Sequence, residues 1–261
     1  MEEAHSNSPE ISQGSTPEPA APPATAPALS APRQRNRWWH EWGKPLLIIL
    51  LAVGSFRSAV ADWNDVPTGS MIPTILEGDR IFVNKVAYSL RFPFTRWHIV
   101  RWGQPQRGDI VVFLSPEDGK RLVKRVIGIP GDRVELHNNQ LLINGTPVHY
   151  SLFESNDEEL REIQNRNGAH FRVEELEGHV HPITILNFRP WDPRASNFPI
   201  DSIPRGQFFM MGDNRNNSHD SRYFGPVGID NILGRATAVA FSLNRNSGYS
   251  PRWNRLFTKL P

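Results

Sequence analysis

The sequence predicts a mainly β fold with an inserted β subdomain, preceded by one N-terminal transmembrane helix and a disordered tail. Three observations lead there. Apolar, β-branched runs follow Gly-Asp turns, as at Gly78-Asp79 before Ile81 and Val83 and at Gly108-Asp109 before Ile110 to Phe113. One long apolar stretch, Pro45 to Ala61, lies between tryptophans. Residues 1–36 are rich in Pro, Ala, Ser, Thr and Glu and nearly devoid of large apolar side chains, so they cannot offset the entropy of ordering.

At 261 residues the chain can hold one large β domain or two small ones, with appendages. The formal charge of +2, with Lys and Arg spread along the chain, argues against nucleic acid as a partner. The absence of cysteine excludes disulfides and thiolate metal sites and is compatible with any redox compartment.

The apolar stretch carries Arg33, Arg35, Arg37 and Lys44 before it, with Trp38, Trp39 and Trp42 on one flank and Trp63 on the other. Basic residues before a span and aromatics at both rims orient the N-terminus inside and the bulk of the chain outside. As a helix, Pro45 to Ala61 is about 26 Å long at ~1.5 Å per residue, slightly under a hydrocarbon core of roughly 30 Å, and Arg57 has to snorkel to the far interface. Two other readings stand beside an uncleaved anchor: a buried helix, and a cleavable signal peptide ending at the small-x-small sequence Ala59-Val60-Ala61. The long polar tail and Arg57 oppose the second.

Pro67-Thr68-Gly69-Ser70-Met71-Ile72-Pro73-Thr74 follows. Each proline fixes its own φ and restricts the residue before it, which suits a presented serine nucleophile and equally suits an exposed turn. Ile81 and Val83 alternate on the next strand, with Lys85 expected as a solvated charge at its end. The run Ile110 to Phe113 reads as a strand buried on both faces. Leu122 to Ile129 is another apolar strand, carrying Lys124 and Arg125 side by side. Neighbours on a strand face opposite ways, so one of these charges being solvated sends the other to the core or a cleft. A lysine acts as a base only when neutral, and an apolar strand interior can lower its pKa by desolvation; a snorkelling surface lysine is the alternative.

Asn138-Asn139 and Asn144-Gly145 bracket Gln140 to Ile143, so residues 134–149 read as a small meander. Residues 150–204, with an acidic patch at Asp157, Glu158, Glu159 and Glu162 and strand candidates at Phe171 to Val173 and Pro182 to Asn187, read as the inserted β subdomain. Its His179-x-His181 offers two metal ligands at most and reads as strand-surface residues. Phe208 to Met211 is a strand, followed by the dense polar loop Gly212 to Arg222. That loop lacks the sixth-position glycine and distal glutamate of a calcium loop, while His219 raises the possibility of a Ser/His/Asp triad. Ala236 to Leu243 is the last strand, and Arg252 to Lys259 is a basic and bulky tail, either touching lipid headgroups or frayed.

Taken together, Pro67 to Thr74, Leu122 to Asp132 and Gly212 to Arg222 resemble the bacterial type I signal peptidases, membrane-bound Ser/Lys serine endopeptidases. The likeness covers roughly Lys44 to Leu243. It implies a signal-peptidase-like β fold divided into a cytoplasmic tail with basic flank at 1–44, an anchor at 45–61, a catalytic β domain at 62–149 and 205–261, and the insert at 150–204. It implies Ser70 as nucleophile and Lys124 as base, an oxyanion hole from the Ser70 N–H and the Thr68 hydroxyl, and bracing by Ser218, Asp220 and Arg222, with Ser218 holding the Lys124 amine. Substrate pockets would involve Val66, Met71, Ile81, Val112 and Val123. Asn216 stands where the family often has aspartate, so no charge-pair role is carried over there. No cofactor or metal is expected. The implied partners are membrane lipid and preprotein signal peptides with small-x-small cleavage sites, cut at the outer, periplasmic face of the bacterial inner membrane. A self-cleaving repressor-type protease shares this chemistry but needs a DNA-binding helical domain where this chain has its tail and span; a membrane-tethered peptide-binding β module is the non-enzyme alternative.

Overall fold

Gly78-Asp79 and Gly108-Asp109, with glycine φ of 88° and 90°, each turn the chain into a strand of the main sheet. The structure is a computed structural model that describes residues 38–95, 97–154, 157–186, 193–200 and 202–261; the expected tail at 1–36 lies outside the described residues. The described residues divide between Leu46 and Leu47 into two units. In the first, Trp39–Gly43 forms a π-helical turn at the basic flank.

Helix α1 (Lys44–Ala59) begins at its end and crosses into the second unit. The helix stops short of the expected Ala61 because the chain turns into strand β1 (Ala61–Asp65), whose Ala61 pairs with Asn84. Arg57 does not reach out alone: its guanidinium holds Asp62 at 2.6 Å and stacks over Trp63. Among the described residues no helix is long and apolar enough to cross a membrane.

The strands continue as β2 (Asp79–Asn84), β3 (Ser89–Arg91), β4 (His98–Arg101), β5 (Ile110–Leu114), β6 (Arg121–Gly128), β7 (Val134–His137), β8 (Gln140–Ile143), β9 (Thr146–Pro147) and β10 (His149–Leu152). Helix α2 (Glu158–Asn167), β11 (Ala169–Leu176), β12 (His179–Leu186) and β13 (Phe198–Ile200) form the segment read as an insert. Strand β14 (Gln207–Met211), helix α3 (Ser221–Phe224), β15 (Val227–Gly228), β16 (Ile232–Asn244) and β17 (Ser250–Pro251) complete the chain.

The main sheet has the order β1-β2-β16-β5-β6-β14-β15, with β17 added on β16. Its core is what the alternation at Ile81 and Val83 and the continuous run Ile110 to Phe113 require: all six side chains are buried. Met71 and Val66 join Ile81 and Val112 in one apolar cluster.

The insert departs from a purely β reading. Helix α2 starts where the Asp157 carboxylate accepts the N–H groups of Glu159 and Leu160 and ends at Gly168, whose φ of 58° is left-handed. Of what resembled an acidic patch, Asp157 is the cap of this helix and Glu158 and Glu159 lie in its first turn, where negative charge complements the helix dipole. Nor does the insert stand apart. Its β13 pairs with β7 of the meander, and Leu176 and Ile203 share a core with Leu136, Phe209 and Met211.

Candidate active site

The stretch Pro67 to Thr74 is held by its backbone. The Ile72–Pro73 bond is cis. Asn214 donates from its side-chain amide to the Gly69 carbonyl (3.0 Å) and from its backbone to the Ser70 carbonyl (3.1 Å), while Thr184 donates its hydroxyl to the Ile72 carbonyl (3.0 Å). Thr184 in turn exchanges backbone hydrogen bonds with Asp213 and Arg215, so strand β12 of the insert buttresses the serine loop. Gly212 allows this close approach: a Cβ there would lie 2.4 Å from the Ser70 carbonyl oxygen and 2.3 Å from Ser218 Oγ.

Opposite the loop, β6 brings Lys124, whose Nζ donates to Ser70 Oγ at 2.6 Å. Lys124 is only 3% exposed. Burial pushes its pKa down to about 8 and the Arg222 charge pushes the same way, against the pull of Asp220 and Asp213. Its neighbour Arg125 does not take the solvated face that strand alternation offered it. It is fully buried and gripped by Asp213 through two parallel bonds of 2.9 and 2.8 Å, with a further bond of 2.8 Å to the Gly108 carbonyl. A buried guanidinium is tolerable because nearly every donor has an acceptor. Asp213 also accepts from Thr74 Oγ1 at 2.5 Å, which ties β6 to the end of the serine loop.

Asp220 is the hub of the polar loop. Its carboxylate accepts from the Gly212 N–H (3.0 Å), Ser218 Oγ (2.7 Å) and the Arg222 side chain (2.8 and 2.7 Å). Burial alone would raise its pKa, but Arg222 and these donors hold it below the ordinary carboxylate value. Ser218 is therefore spent on Asp220; among the described residues no hydrogen bond joins it to Lys124. His219 is exposed and pairs with Glu117 at 2.7 Å. Asn216 Oδ1 accepts from the Leu186 N–H at 3.0 Å.

A cleft of about 530 Å³ opens beside the Ser70–Lys124 contact, walled by residues 64–68, Ser70, Met71 and residues 120–124. Val66, Met71 and Val123 line it; Ile81 and Val112 are instead fully buried in the core behind that wall. Thr68 is exposed in the cleft, and among the described residues neither its hydroxyl nor the Ser70 N–H is taken by another group.

Three other expectations change. Lys85 is not a solvated strand end: its amine donates to the Arg57 carbonyl (2.7 Å) and pairs with Asp62 (3.4 Å). His181 is buried, not on the strand surface, 3.2 Å from a Glu174 carboxylate that also grips Arg215; His179 is exposed as expected. The C-terminal stretch is not frayed, since Arg252 clamps Glu159, Arg255 clamps Asp79 and Leu260 is buried.

Asn214, Thr184, Asp213 and Arg125 thus position the site without having been singled out as site residues. The signal available in sequence was the density of polar groups in Gly212 to Arg222; nothing local to residue 184 marks it.

A mainly β domain with an open cleft ending at a hydroxyl and a buried amine has the make-up of a peptide-bond hydrolase. The profile of the family described as signal peptidase, peptidase S26, matches residues 39–241. Signal peptidase I of Buchnera aphidicola (subspecies Acyrthosiphon pisum) is 33% identical over 241 residues, covering 80% of this chain and 77% of that protein. Signal peptidase I of Pseudomonas fluorescens is 37% identical over 214 residues, covering 77% and 72%, and that of Pseudomonas aeruginosa 36% over 215 residues, covering the same shares. The chain belongs to the signal peptidase (peptidase S26) family and is a serine peptidase.

Proposed function

We propose that this chain is a membrane-anchored serine endopeptidase that removes N-terminal signal peptides from exported preproteins through a Ser70/Lys124 dyad and an acyl-enzyme. The observation that carries the reading is the 2.6 Å hydrogen bond from an almost completely buried amine to the Ser70 hydroxyl. Neutral Lys124 takes the Ser70 proton as the oxygen attacks the carbonyl carbon of the scissile bond. The oxyanion is met by the Ser70 N–H and the Thr68 hydroxyl. The lysine ammonium then protonates the leaving amine, and a water activated by the same amine releases the signal peptide from Ser70.

Substrate enters as an extended strand between residues 64–68 and the edge of β6 at 121–124, where main-chain hydrogen bonding is free because β14 pairs with β6 only from Arg125 onward. The walls at Val66, Met71 and Val123 favour small side chains at the first and third positions before the cut. Ser218, Asp220 and Arg222 brace the base side of the site.

The membrane anchor is supported by the exposed apolar side chains of α1, among them Ile48, Leu50 and Phe56, each more than half exposed. The basic flank before α1 orients the N-terminus to the cytoplasm and the catalytic domain to the outer face of the inner membrane.

The test is cleavage of a preprotein bearing a small-x-small site. Ser70→Ala and Lys124→Ala are expected to abolish processing while circular dichroism shows the β domain intact. Near-normal processing by Lys124→Ala refutes the dyad.

A further inference from the structure

We propose that Arg121 forms a subsite for an acidic side chain about five residues before the cut; this rests on the substrate path given above. The cleft contains four ionisable side chains apart from its serine and threonine, and their partners differ. Asp65 is shared by Arg80 and Arg245, and Lys120 holds Asp118 at 2.7 Å. Lys124 is committed to Ser70. Arg121 is the exception: among the described residues no carboxylate pairs with it, and its guanidinium reaches across the cleft to the side-chain oxygen of Asn64, a neutral acceptor.

That bridge joins the two walls at the end of the cleft remote from Ser70. Asn64 belongs to β1, whose other edge is occupied by β2, and Arg121 opens β6. A peptide strand between the walls has to pass this point, so the Arg121–Asn64 contact opens when substrate enters. The guanidinium then loses its acceptor while the peptide covers it from water. A carboxylate on the substrate replaces Asn64 with charge-assisted, two-point hydrogen bonds, whereas a lysine sets like charges together.

Strand geometry assigns the position. Arg121 and Val123 are two residues apart and turn to the same face of β6. Val123 packs on the Val66 and Met71 cluster that flanks the third residue before the cut. A paired peptide keeps step with β6, so Arg121 meets the residue two positions further upstream, the fifth.

The experiment uses the full chain in detergent and a set of peptides sharing one small-x-small site, with Asp, Ala or Lys placed in turn at the fourth to seventh positions before the cut. The quantity read is the ratio of kcat/KM for the Asp and Lys peptides, which is independent of the fraction of folded enzyme. A ratio of about tenfold is expected, largest at the fifth position and shrinking at high salt. It falls to about one in Arg121→Ala and inverts in Arg121→Glu. An Asp/Lys ratio unchanged by both substitutions overturns the subsite. Ser70→Ala run in parallel separates the two readings: cleavage that persists without Ser70 refutes the nucleophile, while Ser70-dependent cleavage with an Arg121-independent ratio refutes only the subsite.

Discussion

Cleavage by this enzyme is expected to rise with pH along a limb centred near 8. The perturbation is pH itself, acting on Lys124, whose amine is held at about 8 against a usual value of 10.5. That difference corresponds to about 3 kcal/mol at ~1.4 kcal/mol per unit, supplied chiefly by burial. At pH 7 about 10% of the amine is neutral, against about 0.03% for an unperturbed lysine, an advantage of roughly 300-fold. Between pH 6 and pH 8 the neutral fraction rises from about 1% to about 50%, so kcat/KM should climb roughly 50-fold. The assay is a fluorogenic small-x-small peptide at concentrations well below KM, from pH 5.5 to 9.5, with Lys124→Ala as baseline. Arg222→Gln removes a positive charge that depresses the amine and should move the limb to higher pH. Stability follows the same titration with a definite sign. The unfolded chain binds the lysine proton up to about 10.5 and the folded chain only to about 8, so this group weakens the fold most below pH 8 and the penalty is relieved as pH rises through that window. A limb centred near 10, or a flat profile, would refute the argument that a desolvated amine is the base.

Two structural predictions accompany it. Arg125→Leu leaves the fully buried Asp213 carboxylate unpaired and should cost about 3 to 5 kcal/mol in urea unfolding, whereas replacing both partners by apolar residues should cost much less. Gly212→Ala puts a methyl 2.4 Å from the Ser70 carbonyl oxygen, with backbone on one side and Ser218 on the other; kcat should drop at least tenfold, and recovery of wild-type kcat would show that the loop is free to shift.

Some of the structure was legible because its cause is local. The strands β2 and β5 follow from Gly-Asp turns and from the periodicity of Ile81, Val83 and Ile110 to Phe113. The paired signals at Ser70 and Lys124 could be named together from motif resemblance, although 54 residues separate them and nothing local states that they meet. Helix α2 was equally local, since Asp157 caps it, Gly168 ends it and Leu160 and Ile163 share a face toward Phe171. It escaped because two apolar positions among acidic ones read as a solvated patch.

Sequence by itself determined the β character, the apolar helix before it, and the residue types from which a hydroxyl and an amine could make a nucleophile. Tertiary structure decided which charges are buried and with whom. Alternation along β6 assigns opposite faces to Lys124 and Arg125, but whether a face is wet depends on what packs against it, and here Asp213, the Gly108 carbonyl and the serine loop cover both. The same holds for Thr184, His181 and the partners of Ser218: hydrogen bonding is short-ranged in space and indifferent to distance along the chain, so only the folded arrangement names the acceptor.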